Sequence, residues 1–248
     1  MGEISRPLIP ANAMTRIEAF TTADDWAKAC SACLIDALST ALADGGKAVF
    51  AGSGGSTPAP IYRRMAKADL DWSRVAVTLI DERYVPETSA DSNAALLKRT
   101  LLTGPAAAAR FVPLFHSAVT VDRAAALATH ALAAEGGKLD AILLGMGEDG
   151  HICSMFPDSP TLKTLLSPLL RPTVLGVPHG RDGAAPSMER LTINLPYLMT
   201  ARRVVLAITG AAKRSVFERE AVGDPTTQPI AALIAARVPL DVLWTEKA

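Results

Sequence analysis

Short apolar runs alternate with segments of helical spacing along most of this chain. Trp26, Cys30, Cys33, Leu34, Ala37, Leu38 and Leu42 recur three and four residues apart, which predicts an amphipathic helix over Asp24–Asp44. Lys47–Ala51 reads as a buried strand, followed by a glycine-rich turn and a helix running to Met65. Val75–Ile80 predicts a second strand, then a polar loop, then a helix over Asn93–Leu102. Phe111–Phe115 is a short strand, and the alanine-rich stretch Val121–Ala134 is a helix stopped by Gly136 and Gly137. Leu139–Leu144 is the most apolar strand. Farther on, Leu191–Asn194, Val204–Ile208 and Val242–Trp244 predict strands, with helices over Ala211–Glu220 and Ile230–Ala236 between the last two. Strands that alternate with helices imply crossover connections. The fold class is therefore α/β, a doubly wound and mainly parallel sheet with helices on both faces. No internal repeat appears, and the Gly/Pro-rich loop Val177–Pro186 is too short to link domains, so residues 1–248 read as a single domain.

Composition narrows the partners. Lys plus Arg and Asp plus Glu are 25 each, and this balance argues against nucleic acid or an anionic membrane surface, both of which call for a basic excess. No apolar stretch approaches the ~20 residues of a membrane-spanning helix, and Met1–Ala13 lacks the apolar run of a secretory signal. Three cysteines are an odd number in a chain too large to need stapling, which fits a reducing compartment. The expectation is a soluble cytoplasmic protein, monomeric or a small homo-oligomer.

In a doubly wound sheet, ligands bind beyond the carboxyl ends of the strands. Three polar segments fall there. Gly52–Pro58 follows a strand, and Thr57 is placed to cap the next helix with Pro58 in its first turn. Its glycines let backbone amides approach a ligand, and amides at a helix start favour an anion. The segment matches neither a Walker loop nor GxGxxG. It reads as a phosphate cradle at Gly54, Gly55, Ser56 and Thr57, against the plainer reading of a tight strand-to-helix turn. The second segment, Asp81–Pro86, carries Arg83, which suits two-pronged binding of phosphate or carboxylate; a solvated Asp81–Arg83 ion pair is an equal reading of the residues alone. The third, Gly145–His151, delivers a histidine two residues after Asp149, and imidazole suits proton transfer near neutral pH.

Other reactive side chains fit structural roles better. Cys30 and Cys33 lie mid-helix with no second ligand pair to complete a zinc site. Cys153 is too local to His151 for a nucleophile–base pair drawn from separate segments. His116 and His130 read as structural; His179, in the Gly/Pro-rich loop, has no neighbour that requires a role. No group has metal-ligand spacing, and there is no Gly-x-Ser-x-Gly elbow.

Taken together, the segments Ser53–Pro58 (SGGSTP), Asp81–Pro86 (DERYVP), Asp91–Asn93 (DSN), Leu144–His151 (LGMGEDGH), Ser154–Pro160 (SMFPDSP), Glu189–Asn194 (ERLTIN) and Thr209–Lys213 (TGAAK) resemble, in order, the 6-phosphogluconolactonase family. Its superfamily also holds glucosamine-6-phosphate deaminase. Arg83, where deaminases typically carry tyrosine, and Ser154–Pro157, where they carry Asn-Glu-Pro, favour the lactonase side. Ile152-Cys153 departs from the Thr-Ala common in lactonases. The resemblance implies the deaminase/ribose-5-phosphate isomerase-like fold and hydrolysis of a phosphosugar lactone, 6-phospho-D-glucono-1,5-lactone, without metal or cofactor. It points to His151 as general base, with either Asp149 or Asp81 orienting it, and to Arg83, Arg190 and Lys213 around a phosphate on the Gly54–Thr57 amides. The alternatives are a deaminase or sugar-phosphate isomerase, or a non-catalytic sugar-phosphate sensor.

Overall fold

The apolar runs become the strands of a central parallel sheet in the computed structural model, which describes residues 14–180 and 185–246. Strands β1 (Thr15–Phe20), β2 (Ala48–Gly52), β3 (Val75–Leu79), β5 (Arg110–Phe111), β6 (Ala141–Leu144), β9 (Arg203–Thr209) and β10 (Leu240–Thr245) assemble in the order β1-β10-β9-β6-β2-β3-β5. Every neighbouring pair in it is parallel. All residues of β2, β3 and β6 are buried, because helices cover both faces; hence these strands are continuous apolar runs with no alternation.

The helices are α1 (Ala23–Gly45), α2 (Ala59–Met65), α3 (Asn93–Thr100), α4 (Val121–Ala134), α5 (Leu162–Leu165), α6 (Leu195–Met199), α7 (Ala211–Glu220) and α8 (Pro229–Ala235). Helix α1 starts where the Thr22 side chain accepts from the Asp25 amide, and it buries Trp26, Cys30, Leu34 and Leu38 against the sheet. The buried Trp26 indole donates to the Leu243 carbonyl at 2.9 Å, tying helix to sheet. None of the helices among the described residues is long and apolar enough to cross a membrane. The reading of Met1–Ala13 lies outside the described residues, as do positions 181–184 of the Val177–Pro186 loop.

Strand order reverses between β2 and β6: the chain leaves β2 toward β3 and β5, and leaves β6 toward β9 and β10. The connections diverge there and open a crevice at the strands' carboxyl ends. The glycine-rich segment after β2 and the histidine segment after β6 both start at this crevice.

Among the departures from the sequence reading, two shape the cleft. Asp81–Arg83 is not a loop but strand β4, and with β8 (Arg190–Ile193) and β7 (Val174–Val177) it forms a separate antiparallel sheet, β4-β8-β7. Leu191–Asn194 therefore belongs to this small sheet and not to the parallel one. The ladder joins segments distant in the chain, which local patterning does not register. Thr57 also does not cap α2: the helix begins at Ala59 with Pro58 at the cap position and no side-chain cap.

Candidate active site

Ser53–Thr57 is pinned from below. Tyr62 of α2 is fully buried and donates to the Ser53 carbonyl at 2.7 Å. Gly54 lies flat against Asn93, where a Cβ would fall 1.8 Å from the Asn93 Oδ1. Glycine is required there by space. Asn93 is itself buried, and its Nδ2 donates to the Asp81 carbonyl at 3.0 Å. Thr57, freed from capping, lines the cleft with Gly54, Gly55 and Ser56.

Glu82 organises the second segment. Only 1% exposed, its Oε1 accepts from the amides of Arg83 and Asn93, each at 2.8 Å, and its Oε2 from the Ala94 amide at 2.8 Å and Ser92 Oγ at 3.2 Å. Burial pushes its carboxyl pKa up, while these hydrogen bonds oppose the shift. A glutamine can present only one oxygen, so one set of donors would face an NH₂ group. Glu82→Gln is expected to destabilise the fold by about 2–3 kcal/mol, measured by denaturant unfolding.

The third segment folds back on itself, the Gly147 amide donating to the His151 carbonyl at 2.9 Å. His151 Nδ1 lies 2.5 Å from Asp149 Oδ1, which also accepts from the His151 amide at 3.2 Å. Partial burial of Asp149 opposes its ionisation, but the hydrogen bond and charge of His151 hold its carboxyl below the ordinary value. Asp149 is thus a carboxylate near neutral pH. The imidazole stacks on Phe156 at 4.3 Å between ring centroids. Of the two carboxylates the sequence left open, Asp149 bonds His151. Asp81 instead accepts from Ser154 Oγ at 2.8 Å and lies 4.0 Å from Arg190 Nη1.

The cations converge by strand pairing. Arg83 and Arg190 are direct cross-strand partners in the β4–β8 ladder. Like charges placed opposite one another are unfavourable, and an anion between them relieves the repulsion. Burial pushes the Arg190 guanidinium down from its ordinary value and Arg83 adds to this, while Asp81 opposes it. Among the described residues the buried Nε atoms of both arginines meet no hydrogen-bond partner. Arg83 Nη1 donates to the Asp91 carbonyl at 2.6 Å. Lys213 sits in the first turn of α7, and among the described residues no ion-pair partner meets it. The start of α7 is anchored by Trp244, whose Nε1 donates to the Gly210 carbonyl at 2.9 Å.

These groups line one cleft of about 340 Å³, on the scale of a small phosphorylated ligand. Gly54–Thr57, Asp81, Arg83, His151, Arg190 and Lys213 all border it, and Asp149 stands behind His151. The residues whose parts the sequence did not assign are Asn93, Phe156, Glu82 and Ser154. Asn93, Phe156 and Ser154 sit in the matching segments DSN and SMFPDSP, and Glu82 in DERYVP, but only tertiary contacts assign them partners. Cys153 also borders the cleft, yet burial pushes its thiol well up, away from thiolate chemistry. His116, His130 and His179 stand outside the cleft lining, and among the described residues no group of three or more His, Cys, Asp or Glu gathers as a metal site.

The family model described as glucosamine-6-phosphate isomerases/6-phosphogluconolactonase matches residues 21–244. The chain belongs to this family. Among its relatives, a 6-phosphogluconolactonase of Caulobacter vibrioides is 40% identical over 231 residues, covering 93% of this chain and 97% of the relative. One of Pseudomonas aeruginosa is 37% identical over 247 residues, covering 97% and 98%. The crystal structure of a 6-phosphogluconolactonase from Shewanella baltica superimposes with a TM-score of 0.86 at 30% identity, covering 96% of this chain and 99% of that one. As a member of the glucosamine-6-phosphate isomerase/6-phosphogluconolactonase family, the chain keeps its lactonase-side residues in the cleft: Arg83 borders it, and Ser154 holds Asp81 beneath it.

Proposed function

We propose that this protein hydrolyses 6-phospho-D-glucono-1,5-lactone to 6-phospho-D-gluconate, with His151 as the general base. The observation that carries the reading is the placement of a carboxylate-bound imidazole in the same cleft as the facing pair Arg83 and Arg190. The glycine-rich amides of Gly54–Thr57, the two arginines and Lys213 take the substrate's phosphate and so fix the lactone carbonyl near His151. With Nδ1–H donating to Asp149, Nε2 is free to accept a proton from water. The water oxygen bonds to the lactone carbon, and the carbonyl electrons move to its oxygen. Collapse of that adduct breaks the bond to the ring oxygen, which takes the proton back from the imidazolium. Asp81 holds Arg190 and Ser154 in place. His151 carries the one proton moved from water to the ring oxygen, and the carboxylic acid formed loses its own proton to solvent to give the gluconate, so the route needs neither metal nor cofactor. The three cysteines are free, in keeping with a cytoplasmic enzyme acting on a small soluble metabolite.

The test is hydrolysis of freshly generated lactone, corrected for spontaneous opening. Native protein is expected to act rapidly on the phosphorylated lactone and poorly on the unphosphorylated one. Arg190→Ala and Lys213→Ala are each expected to raise KM for the phosphorylated lactone about 10- to 100-fold, the worth of one charge-assisted hydrogen bond. Turnover of glucosamine 6-phosphate in place of the lactone would transfer the site to the sister activity.

A further inference from the structure

Among the described residues strand β1 pairs with β10 alone, and no strand pairs with its other side. Thr15 pairs with Leu240, and the Leu240 amide donates to the Met14 carbonyl at 2.8 Å. In a parallel ladder the bonding direction alternates along the strand, so Arg16 and Glu18 turn their backbone groups toward β10. Thr15, Ile17 and Ala19 therefore turn theirs outward. Edges of this kind template pairing with another chain unless they are blocked. No proline blocks this one, and its side chains carry a specific pattern: Arg16 and Glu18 share one face, 3.2 Å apart, while Ile17 on the other face is 41% exposed.

We propose that β1 is a homodimerisation edge, two copies pairing their β1 strands antiparallel about a two-fold axis at Ile17 and joining their sheets. Backbone direction limits the registers, and charge selects among them. An antiparallel pair bonds where outward-facing residues meet, so the axis passes through a residue and not between two. An axis at Arg16 or Glu18 sets that charge opposite its own copy, which is unfavourable; an axis at Thr15 sets Arg16 opposite the partner's Met14, and one at Ala19 sets Glu18 opposite the partner's Phe20. Only the axis at Ile17 brings Arg16 opposite the partner's Glu18, twice by symmetry, and uses the whole strand. It also sets Ile17 beside its own copy and Thr15 opposite the partner's Ala19. Charges that protect an edge against other strands thus become complementary to a second copy of this one. The active-site cleft gathers around β2, β3 and β6 in the middle of the sheet, so pairing at β1 leaves it open.

Sedimentation velocity over a wide concentration series tests this. The native protein is expected to pass from monomer to dimer as concentration rises, and the Ile17 and Ala19 amides to gain protection from hydrogen exchange in step. Ile17→Pro is expected to stay monomeric: the lost N–H faces outward, so the monomer keeps its own ladder. Glu18→Arg, which faces Arg16 of the other copy twice, is expected to weaken dimerisation about tenfold or more with turnover per chain unchanged. A native protein monomeric at every concentration overturns the proposal, as does a dimer that persists in both variants, since it would use another surface.

Discussion

Replacing His151 by alanine is expected to lower kcat for the phosphorylated lactone by about 10²–10⁴-fold with KM nearly unchanged. In the proposed route the imidazole both takes the proton and returns it, and its Nδ1 lies 2.5 Å from Asp149 Oδ1. The proposed phosphate contacts lie on other segments, the glycine-rich loop, β4, β8 and α7, and should persist in the variant. Binding and chemistry therefore separate in the kinetics. A fall in kcat with KM held supports the general-base role. Retention of the native kcat by a folded His151→Ala protein would assign the chemistry to another group.

The second large effect is expected at a residue with no functional group. A Cβ at Gly147 would lie 2.3 Å from the His151 ring and 2.4 Å from Asp149 Oδ1, well inside van der Waals contact. Gly147→Ala must displace one partner or both by about 1 Å, and a displacement of that size costs on the order of 10²-fold in rate. Gly145→Ala is the control in the same segment, since its Cβ would meet nothing closer than Ser53 Oγ at 4.0 Å. Steady-state kinetics of the two variants should differ by that factor while their unfolding midpoints stay close. Equal activity in both would show that the pair tolerates the crowding and that its fixed geometry does not set the rate.

Much of this architecture was legible in the chain. The helices at Val121–Ala134 and Ala211–Glu220 begin and end where their spacing and flanking residues said they would. The strands at Lys47–Ala51, Val75–Ile80 and Leu139–Leu144 lie within a residue or two of their expected limits. These segments are long or uniformly apolar, so the local pattern carries the assignment. Strand β1 was missed because an edge strand with alternating polar residues, Thr15–Phe20, lacks that apolar run. Strand β4 was missed because three charged residues read as a loop until β8 pairs with them.

The chain by itself determined the alternation that makes a parallel sheet, and the glycine-rich and histidine segments at its strand ends, because strand ends are local features. Whether Asp81 or Asp149 meets His151 was open in the sequence and was decided by the turn at Gly147, where the absence of a side chain lets ring and carboxylate close to 2.5 Å. Whether Arg83 stood in a solvated pair with Asp81 or faced a second cation in the cleft was decided by a ladder. Only the antiparallel pairing of β4 with β8 sets it opposite Arg190, and such long-range register depends on how the whole sheet packs, not on the residues beside it.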